Sequence, residues 1–403
     1  MTTEDTAPRN HGRLDQVMLI ALLAFVATVQ FSIAIAESLL AVTLVTWLAS
    51  LIVRRERPSV PPWFWALLAY AAVSLVATAF SLEPFTSLGA AKQMLLFLVV
   101  PATYSIAGGR RATTVMQVIL TVGAISAIVG VFQYGVLNYD WLGQRPRGTL
   151  GHYMTYAGLL MLVICSAAAR LLYERRDWIW PALILPALVV ALALTFTRSA
   201  WVGACAGVGL LLLLKDRRLL AVLPVVAALF IAVAPAAITD RAYSMFSLKD
   251  PTNRDRVAML EAGKEIVARY PLTGVGPNLL KKIYPTYRQS NAVDLTPPHL
   301  HNVPLQIAAE RGLPALAVWF WFVVSAAIGL WRKLRNDRPR YLAAAGLGAL
   351  VAMMGAGLFE YNFGDSEFLM MLLVLLTLPW AAARERDPEI ITTGETKVPL
   401  EKT

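Results

Sequence analysis

Cysteine is nearly absent. The 403 residues hold two, Cys165 and Cys205, both inside apolar runs. That excludes a disulfide framework and a cysteine-based metal site, and both are expected to be small buried hydrophobes. Charge is also scarce, 15% of residues against 57% hydrophobic, a balance that fits no soluble class. The net charge of +10 comes without a helix-turn-helix, zinc-finger or RNA-binding signature. Its basic residues gather at the ends of apolar runs, so no nucleic-acid partner is expected. The chain shows no internal repeat and no low-complexity segment.

Apolar runs of about twenty residues recur from end to end, each long enough to cross a bilayer core. The expected fold class is an all-α polytopic membrane protein. The first run, Leu14 to Val53, is too long for one helix. Gln30 to Ser32 and Glu37 interrupt it, so it divides near Phe31. Further spans are expected over 62–80, 84–106, 113–136, 153–173, 178–195, 199–214, 219–238, 313–331, 341–359 and 367–383, about twelve transmembrane helices in all. The chain thus divides into helices 1–9 over 1–238, one long loop over 239–311, helices 10–12 over 312–384, and a disordered tail over 385–403.

Alternate connections differ in charge. One set holds Arg9 and Arg13; Arg54, Arg55 and Arg57; Arg110 and Arg111; Arg170, Arg175 and Arg176; Lys215, Arg217 and Arg218; Arg332, Lys333, Arg335, Arg338 and Arg340; and Arg384 and Arg386. The other set is almost free of basic residues. The asymmetry places both termini in the cytoplasm and the long loop outside, in the periplasm if the chain is bacterial. Within that loop Asn253 is expected to cap a helix reaching about Tyr270, with Val257, Leu260, Ile266 and Val267 on one side. Pro271 stops this helix, and Gly274-Val275-Gly276-Pro277-Asn278 reads as a turn. A second short helix starts near Asn302, where Pro304 suits a first turn, and Gly312 and Pro314 precede the next span.

Three arginines break the charge rule on the depleted side: Arg145 and Arg147 before His152, and Arg198 at a tight hairpin between two apolar spans. Such residues either snorkel toward headgroups, pair with a carboxylate such as Asp140, or hold an anionic substrate; the hairpin favours function for Arg198. Arg254 and Arg256 open the loop helix, and Arg241, Lys249, Lys264, Arg269, Lys281, Lys282 and Arg288 belong to the same loop, most of them expected on a solvated face. Together they make a basic outward surface suited to a bilayer-anchored phosphate or diphosphate, which arginine grips with two parallel hydrogen bonds. His301 directly precedes a helix start, whose positive end disfavours imidazolium; a neutral imidazole there can act as a general base or can simply cap the membrane edge. His299 has the same exposure. No metal site is expected: there is no HExxH and no outward Asp-x-Asp, His299 and His301 are wrongly spaced for one helix face, and Asp365 reads better as an arginine partner than as a ligand. Lys92 lies inside a span and either snorkels outward or lines a cavity as a phosphate contact.

The residues from 145 to 315 resemble the O-antigen ligase and O-antigen polymerase superfamily of bacterial envelope proteins. The resemblance rests on Thr197-Arg198-Ser199-Ala200-Trp201 at the hairpin and on Arg256 at the head of the loop helix. It continues through Pro271-Leu272-Thr273-Gly274-Val275-Gly276 to His301-Asn302-Val303-Pro304-Leu305-Gln306 and Glu310-Arg311-Gly312. Arg147-Gly148-Thr149 matches a further piece before a span. Leu260 stands where the family often has an aromatic.

The resemblance implies an integral-membrane glycosyltransferase of the inner membrane, GT-C-like and inverting. Its donor would be a glycan on undecaprenyl diphosphate and its acceptor a sugar hydroxyl of lipid A–core. His301 would take the acceptor proton; Arg198 and Arg256, with Arg147, would hold the diphosphate. Arg145, His299, Asn302, Arg254 and Lys92 are the further substrate-binding candidates, and neither a metal nor another cofactor is implied. Membrane lipids surround the site. A polymerase, with a second lipid-linked repeat unit as acceptor, shares these motifs but often has a second large outward loop. A transporter or flippase would fit the span count but not the missing duplication, nor a structured loop of about seventy residues.

Overall fold

The computed structural model describes residues 7–174, 176–290 and 292–384. Arg175, Arg386 and the tail expected to be disordered lie outside the described residues. The chain is helical, with no strand among those residues. In order, the helices are α1 (Ala7–Thr28), α2 (Ile33–Arg54), α3 (Phe64–Ala79), α4 (Pro84–Ala91), α5 (Val99–Ile106), α6 (Arg111–Gly135), α7 (Tyr153–Tyr173), α8 (Ile179–Leu194), α9 (Arg198–Lys215), α10 (Val222–Val233), α11 (Ala236–Tyr243), α12 (Pro251–Arg269), α13 (Leu280–Tyr287), α14 (Val303–Asn336), α15 (Arg340–Gly357) and α16 (Ser366–Ala382). A 3-10 stretch, Lys92–Leu98, joins α4 to α5. Among the described residues seven helical segments are long and apolar enough to cross a membrane, and α3, α8 and α16 are shorter apolar helices. The protein is therefore a multi-pass all-α membrane protein.

The break between the first two helices covers residues 29–32 and so includes Phe31, near which it was expected, with Ser32 extended. The expected span over 219–238 is different: α10 closes at Val233 and α11 begins anew at Ala236.

The bundle is organised around α15, which packs against α7, α9, α14 and α16. Lipid tails are as apolar as leucine, so close backbone approach replaces the hydrophobic effect in holding such helices together. Gly203 and Gly207 of α9 show it: a Cβ at either would sit 2.6 Å from a carbonyl oxygen of α15, Ala352 or Gly348. Burial grades from 89% of the apolar window in α7 to 28% in α2, which makes α7 a core helix and α2 a lipid-facing one. Cys165 is buried there as expected, but Cys205 is exposed on α9, because the small residues of that helix face α15 and its opposite side faces outward.

The long loop folds on a second small core of Met259, Ala262, Ile266, Val275, Leu279, Leu280, Tyr284, Leu300 and Ala309. The N-cap of α12 is Asp250, whose carboxylate accepts from the Asn253 N–H. The expected cap, Asn253, instead sits in the first turn and donates from Nδ2 to the carbonyls of Ser244, Met245 and Ser247. The buried side of α12 is Ala258, Met259, Ala262, Gly263 and Ile266; Val257 and Leu260, expected on the packed side, are exposed. Leu260 therefore takes no part in this core.

The glycine turn after α12 docks on the start of α14. Val275 N–H donates to Ala309 O at 2.9 Å, Gly276 N–H to Glu310 O at 3.0 Å and Leu313 N–H to Pro271 O at 2.8 Å. Gly274 (φ +65°) and Gly312 (φ +80°) permit it: a Cβ at Gly274 would lie 2.3 Å from the Glu310 carbonyl carbon, and one at Gly312 would lie 2.2 Å from Leu272 O. At Gly312 the backbone leaves helical geometry, so α14 is a loop-side helix kinked into a long apolar one.

Candidate active site

Asn302 sets the local geometry. Its Oδ1 accepts from Leu305 N–H at 2.8 Å, capping α14, while its Nδ2 donates to Leu358 O at 3.0 Å, tying the cap to the end of α15. Gln306 Oε1 accepts from Leu300 N–H at 2.8 Å. Between these anchors His301 is forced into the left-handed region, φ +49°, a strained conformation for a non-glycine residue and one that gathers at functional sites. The distortion places the imidazole against Glu360, in the α15–α16 connection, with Nδ1 2.9 Å from Oε2.

Glu360 is buried. Burial alone would raise its pKa, but the neighbouring His301, the hydrogen bond between them, His299 and the Tyr361 N–H together hold it down to about 2. A carboxylate ionised at neutral pH and in contact with Nδ1 favours a proton on that nitrogen, and in the neutral ring the lone pair then lies on Nε2. His299 Nε2 lies 3.6 Å from Glu360 Oε1, and the two imidazoles meet edge to face at 4.3 Å. Burial pushes the pKa of His299 down; Glu360 opposes this, His301 and His152 add to it, and it settles at about 4. His299 is therefore neutral at pH 7, and its contact with Glu360 is no ion pair. A cavity of about 190 Å³ opens beside it, lined by His152, Thr155, His299, Glu360, Tyr361 and Asp365 among others.

A cluster of arginines occupies the same end of the bundle. Arg198 is buried, with NH1 donating to Ser244 Oγ at 2.9 Å and NH2 donating to Asp250 Oδ1 at 3.1 Å and Asn253 Oδ1 at 2.9 Å. Arg241 donates from NH1 to the other Asp250 oxygen at 3.4 Å. The sequence pointed to Arg198 as a phosphate grip; here its fork locks the α8–α9 hairpin to α11 and α12. Arg241, expected on a solvated face, is buried, and burial, then Arg198 and Arg145, push its pKa down to about 10. Arg256 is half-buried, and its Nε has no hydrogen-bond partner among the described residues. Burial lowers its pKa first, Glu360 raises it and Arg198 lowers it further. Arg145 donates from Nε to Leu142 O at 2.9 Å and lies 4.2 Å over the Tyr153 ring; burial, then Tyr153 and Arg198, set its pKa, which is lowered overall. Arg145, Arg198, Arg241 and Arg256 thus repel one another with Asp250 and Glu360 as the carboxylates that counter them.

The remaining candidates are spread more widely. Arg147 is exposed beside a turn held by Gln133, whose Oε1 accepts from Arg147 N–H and Gly148 N–H at 2.9 Å each. Arg254 is exposed on α12, and Lys92 is exposed at the head of the 3-10 stretch and lines neither cavity found beside these loops. Among the described residues Asp365 pairs with no arginine. It caps α16 through Phe368 N–H and accepts from Thr155 Oγ1.

Residues 181–320 match the family model of O-antigen ligase, Wzy_C. That match supports the O-antigen ligase superfamily and, with it, a membrane glycosyltransferase family acting on lipid-linked glycans. No curated protein matches the chain. Within the matched segment lie Arg198, Arg241, Asp250, Arg256, His299 and His301; Arg145, Arg147 and Glu360 fall outside it. Glu360 was the residue sequence reasoning missed as a partner of His301. The available signal was a carboxylate at an outward span end, in Phe359-Glu360-Tyr361. Histidine, glutamate and the arginine cluster together offer a proton acceptor, a group orienting it, and positive charge for a leaving anion.

Proposed function

We propose that this chain transfers an O-antigen glycan from undecaprenyl diphosphate to a sugar hydroxyl of lipid A–core, as an inverting transferase of the GT-C type. In this reading it crosses the bacterial inner membrane about twelve times with both termini cytoplasmic, and the site faces the periplasm. The observation that carries the reading is the Glu360–His301 contact, at 2.9 Å, set beside a cluster of four arginines that outnumbers its two carboxylates, Asp250 and Glu360.

The acceptor hydroxyl gives its proton to His301 Nε2 as its oxygen bonds to the anomeric carbon. The bond from that carbon to the diphosphate oxygen breaks, and the electron pair leaves with undecaprenyl diphosphate. Glu360 holds the base in the reactive tautomer and stabilises the imidazolium as it forms. Arg256, with Arg147 and Arg145 at the rim, meets the charge developing on the diphosphate. Arg198 acts through Asp250 as a positioning residue for α12. Asn302 fixes the backbone of His301, and His299 lines the acceptor side; Lys92 and Arg254 meet phosphate and headgroups farther out. Fixed guanidinium charge takes the part that a divalent ion would otherwise play, so the transfer proceeds without one.

The test is reconstitution in detergent with an undecaprenyl-diphosphate-linked glycan, with and without lipid A–core. Product is expected only with lipid A–core, unchanged by EDTA and absent with His301→Ala. A ladder of longer lipid-linked glycan without lipid A–core would replace the ligase reading with a polymerase. Wild-type product from His301→Ala would remove the base.

A further inference from the structure

We propose that His299, His301 and Glu360 also form a binding site for a borderline-soft transition-metal dication, Zn²⁺ foremost, and that the bound ion switches the transfer site off. The inhibitory part rests on the function proposed above; the metal site itself does not.

The geometry is the starting point. His299, His301 and Glu360 each offer one ligand atom, and these atoms lie within 4.8 Å of one another. Two imidazoles and a carboxylate with one open position is a donor set Zn²⁺ adopts, with ligand bonds of about 2.0–2.2 Å. Tetrahedral ligands then stand about 3.3–3.5 Å apart. His301 Nδ1 lies 2.9 Å from one Glu360 oxygen and His299 Nε2 lies 3.6 Å from the other, and no ligand-atom separation exceeds 4.8 Å, so an ion draws the three groups in by about 1.5 Å at most. The cavity beside His299 has room for a water in the fourth position. Mg²⁺ and Ca²⁺, which prefer oxygen, are poorly served by two nitrogens. Arg256 lies in the field of Glu360 and opposes a dication, which suits a reversible site better than a permanent one.

The consequence follows from the tautomer. In the transfer-competent state the Nδ1 proton of His301 points at Glu360, and Nε2 is the base. Coordination takes the Nδ1 lone pair, so the ring proton must move through solvent to Nε2. No proton is released overall, but the nitrogen facing the acceptor becomes a donor and cannot accept. The ion also neutralises the carboxylate that would have stabilised imidazolium.

The experiment uses tag-free, full-length protein in detergent, titrated with Co²⁺ as a spectroscopic probe. One equivalent is expected to produce a tetrahedral visible band that Zn²⁺ displaces. The band should be lost in His299→Ala and in Glu360→Gln and kept in Arg256→Ala, with thermal melting confirming that each variant is folded. In parallel, Zn²⁺ should lower transfer at least about tenfold, EDTA should restore it, and Mg²⁺ should leave it unchanged. Folded wild-type protein without the band, or a band that persists in both His299→Ala and Glu360→Gln, overturns the site. A band with transfer unaffected by Zn²⁺ overturns the inhibition. The Co²⁺ titration needs no substrate, so it stands even if the protein proves to transfer something else.

Discussion

Glu360→Gln isolates the part of the proposed chemistry that the structure adds. The carboxylate touches His301 Nδ1 at 2.9 Å and accepts from Tyr361 N–H at 3.0 Å, and its side chain is 12% exposed, so water cannot readily take its place. Glutamine keeps the shape and loses the charge. A hydrogen bond to a charged partner contributes about 1.5–3 kcal/mol, which corresponds to roughly a 10- to 150-fold rate change. Where a carboxylate also fixes the tautomer of a catalytic histidine, its loss can cost on the order of 10⁴-fold. The neutral glutamine side chain can still turn its amide oxygen toward Nδ1–H, so the lower range applies. The expectation is a kcat reduced about 100-fold, with the KM for the lipid-linked donor changed less than about threefold. The assay is initial-rate formation of glycosylated lipid A–core by purified protein, with melting temperature measured on the same preparation. A folded variant that keeps more than about a third of the wild-type kcat would refute the orienting role of Glu360.

Arg256→Ala should lower kcat/KM for the lipid-linked donor by roughly 10- to 100-fold, the loss of a charge-assisted phosphate contact, with Arg256→Lys recovering part of it; a rate near wild type for the alanine variant would make Arg256 a bystander. Gly312→Ala should destabilise the protein by several kcal/mol, on the order of 3 or more, from its left-handed backbone and its clash with Leu272 O; an unchanged melting temperature would contradict the docking of the glycine turn. Acid should destabilise the fold between pH 6.5 and about 4, because the unfolded chain protonates His299 at its ordinary value while the folded one resists until about 4. Stability from this group is thus complete above that window and falls as pH drops through it. His299→Gln should flatten the melting curve there, and a flat wild-type curve would count against the burial of His299.

Much of the architecture was legible in the chain because the bilayer imposes simple rules. Span lengths follow from hydrocarbon thickness, and the alternation of Arg and Lys between connections predicts which loops share an end. The structure agrees on the sharing: Thr149 reaches Phe31 O, Leu82 reaches Val275 O, Gln93 reaches Gly364 O, and at the other end Arg384 reaches Tyr104 O. Caps and glycines are local as well. Asn302 begins α14 and Gly312 breaks it because those jobs depend on one or two neighbouring residues. Asn253 was misread for the same reason: Asp250, three residues earlier, competes for the same cap and its charge favours it there.

Sequence by itself determined that this is a multi-pass helical membrane protein, and it marked His301 and the arginines as candidates for its chemistry. Those properties are written in composition, in run length and in short motifs. Only the tertiary structure decided that Glu360, 59 residues from His301, is the partner of that imidazole. It alone decided that Arg198 is held by Asp250, 52 residues away, while Arg256 keeps a buried Nε without a hydrogen-bond partner among the described residues. Hydrophobic periodicity records which residues leave water, but not which buried charges meet, because pairing depends on how α15 seats against α9 and α14. That seating is fixed by the small-residue contacts of the bundle, and it brings the α15–α16 connection beneath the loop.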